Sequence, residues 1–334
     1  MSATARVVSF RAFLFCLLTV TSVTAFTQTS IDEVHITPRE KAVDVASAAY
    51  SAPYTGEGLI RTSVSLVLVP VTITDDLNRP VVGLDQENFQ LFENKKRQEI
   101  KNFSNEDTPV SIGILVDTSG SMSYKLQRAR EAVAQFCDAA NPQDEFFLIT
   151  FADSPQLSTD FTTNSQQIAS DMVTTRSKGQ TSLLDATYMA LKKMREAHYA
   201  RKALLILSDG GDNHSRYSER DVKSAIRESD VSIYAVGTFD RYVTTQEEVM
   251  GPELLRTMAD MTGGAAFTLA DENEMAIVTR NIGSRLRHQY VLAYQPQSAP
   301  HDGKWHKISV KLRLPKKFPF MHVDARPGYY SGGE

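Results

Sequence analysis

Apolar and polar positions follow three different rhythms along this chain. From Thr62 to Thr74 the run Thr-Ser-Val-Ser-Leu-Val-Leu-Val-Pro-Val-Thr-Ile-Thr is β-branched and predicts a strand. A turn cluster, Asp75-Asp76-Leu77-Asn78-Arg79-Pro80, follows it. Short strands are then expected at Phe89–Glu93 and Gln98–Phe103, joined by the polar Asn94-Lys95-Lys96. At Pro109 the rhythm changes. Strands predicted at Ser111–Val116, Glu145–Phe151, Ala203–Leu207, Ser232–Val236 and Ala265–Leu269 alternate with amphipathic helices, the pattern of a parallel sheet with helical crossovers. The first helix carries Leu126, Ala129, Val133, Phe136, Cys137 and Ala140 on one face. Further helices are expected from Ser182 to about Glu196, from Ser218 with Asp221 completing a capping box, from Pro252 to Met261, and from Glu272 to Arg287. An edge strand near Gln156–Phe161 lies in an otherwise irregular stretch. Beyond Arg287 the chain returns to strands at Gln289–Tyr294, Lys304–Leu314 and Met321–Tyr330. Ile308, Val310 and Leu312 alternate there with Ser309, Lys311 and Arg313, so one face is wet.

Neither flanking β segment is long enough to close a core alone. The expected fold is therefore α/β: a doubly wound, mostly parallel sheet over 109–288, inserted in a small β-sandwich-like domain. That domain is formed by residues 60–108 and 289–334 together. Termini of doubly wound units often lie close to each other, which permits such an insertion. Two separate small β units are the alternative.

The first 25 residues read as an export signal. Arg6 and Arg11 precede the apolar run Ala12–Val20, and Val23-Thr24-Ala25 forms a small-residue exit, with cleavage after Ala25. The run is short for a membrane span, although an uncleaved anchor is the competing reading. Residues 26–59 are polar, carry Pro38, Pro53 and Gly56-Glu57-Gly58, and read as a linker. Cleavage would remove two arginines and no acidic residue, moving the formal charge from -4 to -6. That balance gives no footprint for nucleic acid. Of the 2 cysteines, Cys16 lies inside the signal, leaving Cys137 alone. A disulfide framework and a cysteine zinc site are excluded.

Three loops carry the candidate chemistry, each at the expected end of the α/β sheet. Asp117-Thr118-Ser119-Gly120-Ser121 follows the first strand as a D-x-S-x-S motif. Gly179-Gln180-Thr181-Ser182 opens a helix, and Ser208-Asp209-Gly210-Gly211-Asp212-Asn213 ends a strand. In open α/β sheets ligands bind at that edge. Hydroxyl and carboxylate oxygens suit Mg²⁺, Mn²⁺ or Ca²⁺ and are poor for zinc. Taken singly, Asp117 and Ser119 could cap the following helix, and Asp209 could belong to a plain turn.

These motifs, in this order, resemble the von Willebrand factor type A domain and its metal-ion-dependent adhesion site, over residues from about 109 to 288. The resemblance implies that Asp117, Ser119, Ser121, Thr181 and Asp209 are the metal ligands. Octahedral Mg²⁺ keeps several waters, and with Asp117 and Asp209 as the only expected carboxylates, a carboxylate from a partner protein would complete the shell. The whole chain resembles the bacterial secreted proteins related to that family, which share the leading β segment and an ending like Arg326-Pro327-Gly328-Tyr329-Tyr330. Met122, Tyr124 and Tyr217 are expected to tune partner choice. Asp185 and Ser123 are expected to support the loops, and Asp212 to be a loop residue rather than a ligand.

No G-x-S-x-G elbow, H-E-x-x-H, phosphate-binding P-loop or G-x-G-x-x-G is present. His214 reads as a solvated loop residue, and His301 and His306 as flanking a surface hairpin. The function expected is thus a non-enzymatic, exported binding module of the periplasm or cell exterior. A metal-dependent hydrolase using Asp212 or His214, and a structural envelope subunit with a purely structural metal, are the alternatives.

Overall fold

The computed structural model describes residues 66–209, 211–238, 246–296, 302–315 and 319–331. The predicted export signal and linker, and His301, lie outside the described residues. The chain opens with strand β1 (Val67–Thr74), then β2 (Phe89–Glu93), β3 (Lys96–Gln98) and β4 (Ile100–Ser104). Asn94 and Lys95 both have positive φ, 46° and 69°, the conformation of a tight two-residue hairpin turn. Lys96 therefore begins β3 instead of belonging to the connection, as the sequence had suggested.

The α/β unit follows with β5 (Val110–Asp117), α1 (Leu126–Ala139), β6 (Glu145–Phe151), β7 (Pro155–Thr162), α2 (Ser165–Thr174), α3 (Leu183–Lys193), β8 (Arg201–Ser208) and α4 (Glu219–Glu228). It continues through β9 (Val231–Thr238), α5 (Gln246–Asp260), β10 (Ala265–Leu269) and α6 (Met275–Arg287). Its sheet has the order β10-β9-β8-β5-β6-β7, with every pairing parallel except that of the edge strand β7. All eight residues of β5 are buried, as the centre of a two-sided sheet requires. Val110, Ile112, Ile114 and Val116 face α1, α2 and α6, whereas Leu115 faces α3, α4 and α5. Gly113 lies on the second face because a Cβ there would stand 2.3 Å from Phe147 Cζ and 2.5 Å from Leu204 Cδ2.

Two helices depart from the sequence expectation. α2 lies in the stretch that the sequence predicts to be irregular; it is capped by Asn164, which accepts from the Gln166 N–H at 3.1 Å, and buries only Ile168 and Met172. Two anchors leave little periodicity to detect. α5 begins at Gln246, so Pro252 sits inside the helix rather than opening it. A proline removes one helical hydrogen bond, which tertiary packing can offset. The capping box at α4 is present, with Ser218 and Asp221 as reciprocal partners.

Strands β11 (Tyr290–Tyr294), β12 (Trp305–Leu312), β13 (His322–Ala325) and β14 (Gly328–Tyr330) complete the chain. One four-stranded sheet has the order β13-β1-β11-β4 and the other β14-β12-β2-β3, so segments from both sides of the α/β unit share both sheets. Val291 of β11 pairs with Ser104 of β4, which brings together the places where the chain passes into and out of the α/β unit. Between the sheets lies a separate apolar core containing Val69, Val71, Phe89, Leu91, Tyr290 and Leu292. The single strand expected from Met321 to Tyr330 is split: β13 pairs with β1, and after Arg326-Pro327 β14 pairs with β12 in the other sheet. His306 is a correction. It is buried, with Nδ1 2.6 Å from Glu93 Oε1 and Nε2 3.0 Å from Asp302 Oδ1, and it stacks on Tyr329.

Buried polar contacts join the sandwich to the α/β unit. Arg285 of α6 reaches Asp324 of β13 at 3.4 Å and Asn78 at 3.2 Å. Gln289 donates to the Tyr234 hydroxyl at 3.2 Å, and Arg201 donates to the Gln289 side-chain oxygen at 3.1 Å.

Candidate functional site

The connections place the site before any side chain is considered. β5 lies between β6 and β8, and the helix after it, α1, packs on the opposite face of the sheet from α3. A change of winding direction at one strand opens a crevice at the carboxyl ends of the strands. Asp117 is the last residue of β5, and Asp209 follows directly on β8.

The first loop is a single tight turn, Gly120–Met122, in which the Met122 N–H donates to the Ser119 carbonyl. Asp117 is fully buried; its Oδ1 accepts from the Ser119 N–H at 2.8 Å and its Oδ2 from the Ser208 hydroxyl at 2.7 Å. The Ser119 hydroxyl lies 3.0 Å from that of Ser121 and makes no capping bond to the turn that it begins. The second loop is laced to the first. Lys178 N–H donates to the Thr118 carbonyl at 2.8 Å, Gly120 N–H to the Gly179 carbonyl at 2.9 Å, and the Ser177 hydroxyl to the Ser119 carbonyl. Gly179 has φ of +91°, and a Cβ there would meet the Asp153 carboxylate at 2.7 Å. That carboxylate accepts instead from the Gln180 N–H at 2.7 Å.

Thr181 ties the second loop to the third. Its N–H donates to Asn213 Oδ1 at 2.9 Å, and its carbonyl accepts from the N–H groups of Asn213 and His214 at 3.1 and 3.0 Å. Asp185 accepts from the Arg216 and Tyr217 N–H groups at 2.8 and 2.9 Å, holding the same loop. Asp212 accepts from the Ser215 hydroxyl at 2.7 Å and from the Leu183 N–H, so it serves the loop. His214, Ser123, Tyr124 and Tyr217 are exposed, Met122 is buried, and Tyr217 stacks on Tyr188. The five residues singled out in the sequence thus lie in loops bonded to one another at one end of the sheet.

The electrostatics of this end are unbalanced. Burial, and next the charge of Asp209, push the Asp117 carboxyl up to about 7, against the hydrogen bonds from Ser119 and Ser208. Asp209 is also buried, and its Oδ2 has no hydrogen-bond partner among the described residues. A buried carboxylate oxygen without a hydrogen bond is costly even with the Lys125 ammonium 3.6 Å away, and two acidic groups sharing one buried place repel. A hard divalent cation would relieve both. The donor set available is two carboxylates and three hydroxyls, all oxygen, which fits Mg²⁺, Mn²⁺ or Ca²⁺. Among the described residues no three His, Cys, Asp or Glu side chains gather into a metal cluster, so a cation here depends on those hydroxyls.

Three supporting residues escaped the sequence reading. Asp153 and Ser177 sit in stretches without a motif and left no signal. Lys125 did leave one. It stands immediately before the first residue of α1 without capping it, where the helix dipole disfavours a cation, yet it is buried with its Nζ 3.6 Å from Asp209 Oδ2.

The profile of the von Willebrand factor type A domain matches residues 112–211. Inter-alpha-trypsin inhibitor heavy chain H4 of Homo sapiens is 26% identical over 134 residues, covering 36% of this chain and 14% of that protein. The chain thus spans only a small part of that relative's length. Among solved structures, von Willebrand factor type A from Catenulispora acidiphila aligns with a TM-score of 0.48 at 13% identity, covering 79% of this chain and 74% of that one. Proximal thread matrix protein 1 from the mussel byssus, solved with a zinc-occupied MIDAS motif, aligns with a TM-score of 0.43 at 17% identity over 58% of this chain and 49% of that one.

Proposed function

We propose, from the match of residues 112–211 to the von Willebrand factor type A domain, that this chain is a binding module that engages a protein partner through a divalent cation. Domains of this family are typically non-enzymatic binding modules. In this reading Asp117, Ser119, Ser121, Thr181 and Asp209 hold the ion, with Mg²⁺ as the resident metal and Mn²⁺ or Ca²⁺ as substitutes. The single observation that carries it is the Asp209 Oδ2 atom, buried and without a hydrogen-bond partner among the described residues. The bound ion would supply a hard Lewis-acid centre with an exchangeable position for a partner carboxylate.

The chain's own groups do the rest. The Ser119 and Ser121 hydroxyls lie within 3.0 Å of each other and are not spent on capping, which leaves them available as ligands. The bonds among residues 118–120, 177–181 and 213–214 keep the three loops in register without the ion. Pre-organisation of this kind lowers the ordering cost of binding. Tyr124 and Tyr217, exposed beside these loops, offer aromatic surface to a partner. Asp212 is occupied by Ser215 and Leu183, which favours binding over a hydrolytic use of that carboxylate. The same reading takes 1–25 as an export signal, 26–59 as a linker, 60–108 with 289–334 as the carrier sandwich, and 109–288 as the binding domain. It sets the protein in the periplasm or outside the cell. No helix among the described residues is long and apolar enough to cross a membrane.

The test is a pull-down from envelope extract with the full chain in Mg²⁺, repeated in EDTA and with Asp209→Ala. A partner captured only in Mg²⁺ and lost with Asp209→Ala supports the reading. Capture that survives both treatments overturns it.

A further inference from the structure

Lys125 is an expensive residue to keep where it is. It is 5% exposed, so its ammonium has given up most of its water. It stands at the first turn of α1, against the positive end of that helix. Its Nζ donates to the Thr238 carbonyl at the end of β9, 3.2 Å away, and lies 3.6 Å from Asp209 Oδ2. The second distance is a charge contact rather than a hydrogen bond. The carbonyl fixes the ammonium in place, and Asp209 is the opposite charge that justifies it.

Without metal, two buried carboxylates and one ammonium leave this end of the sheet with one formal negative charge. A divalent cation entering the same place meets Asp209 already paired. It must share that carboxylate with a neighbouring positive charge, in surroundings that screen charge far less than water.

We infer that Lys125 is the resident cation of this site: its ammonium balances Asp209 in the metal-free protein and holds divalent-metal affinity below what the five oxygen ligands alone would give. This rests on the proposed metal site and adds to it a residue that sets the strength of metal binding. Removing the ammonium should strengthen metal binding, the reverse of what loss of a structural prop does. Replacing a buried charge of like sign beside a divalent ion is expected to tighten binding at least tenfold.

The experiment is calorimetric titration of the full chain with MnCl₂, comparing wild type, Lys125→Met, Lys125→Gln and Asp117→Ala. Met keeps the length of the side chain without charge, and Gln keeps a donor for the Thr238 carbonyl. Both Lys125 variants should bind Mn²⁺ at least tenfold more tightly than wild type, while Asp117→Ala loses binding. The metal-free Lys125 variants should also melt lower than wild type and recover on adding Mn²⁺. In the wild-type protein, NMR should show the Lys125 ε-methylene resonances moving as Mg²⁺ saturates the site. Unchanged or weaker Mn²⁺ binding in the Lys125 variants, or resonances unmoved at saturation, overturns the role of Lys125 while leaving the metal site standing. Absence of metal binding in every protein, wild type included, overturns the site and this inference together.

Discussion

Replacing Asp117 by asparagine separates the charge of the site from its shape. In the folded, metal-free protein, burial and then Asp209 push the Asp117 carboxyl from 3.8 up to about 7. An acid raised in this way folds most readily when protonated. Its stabilising share is present below about pH 4 and is lost as pH rises through 7. At about 1.4 kcal/mol per unit, the shift sets a ceiling of about 4 kcal/mol on the cost of ionising it at pH 8. Asparagine removes that cost and keeps an oxygen for the Ser119 N–H. It presents an amide where the Ser208 hydroxyl formerly donated, a loss of about 1 kcal/mol. The metal-free variant should therefore be more stable than wild type at pH 8, by about 2 kcal/mol after discounting the ceiling. At pH 4.5 the advantage should nearly vanish, because wild-type Asp117 is then protonated. The assay is urea unfolding in EDTA, followed by circular dichroism at both pH values. Saturating Mg²⁺ should reverse the order, since a ligand at 100 times its Kd adds about 2.7 kcal/mol only to a protein that binds it. A metal-free variant less stable than wild type at pH 8, or a difference independent of pH, would refute the reasoning.

Two further outcomes test the scaffold. Gly113→Ala should destabilise the α/β unit by at least about 1–3 kcal/mol, because the new methyl would collide with Phe147 and Leu204 on a buried face; thermal melting checks it. In the sandwich, His306 faces Glu93 of β2, Asp302 and the Tyr329 ring; burial lowers its pKa, but Asp302 and Glu93 outweigh burial and raise it. Its stabilising share is complete below 6.5 and is lost as pH climbs through the raised value. Melting temperatures of His306→Gln should accordingly fall less steeply than those of wild type on the alkaline side, and an unchanged slope would count against the pairing.

The sequence alone determined the alternation of strand and helix, because a strand buried on both faces reads as a short continuous apolar run and a helix buried on one face as an apolar stripe of period 3.6. β6 and β10 fall on their predicted residues, and the capping box of α4 needs only Ser218 and Asp221, three positions apart. The three loops of the candidate site were legible for the same reason, each standing beside a strand end or a helix start that local pattern locates, whereas the five residues within them were singled out by their resemblance to the adhesion-site motif. Other features required partners far away in the chain. The start of α5 lies before Pro252, against local punctuation. The final β segment divides between two sheets because β1 and β12, more than 200 residues apart in number, each claim half of it. His306 reads as a surface residue until Glu93 is brought to it across 213 positions. Lys125 shows only as a cation at the wrong end of a helix. Folding brings Asp209 within 3.6 Å of it, and a charge acquires its meaning from whatever opposite charge the fold sets beside it.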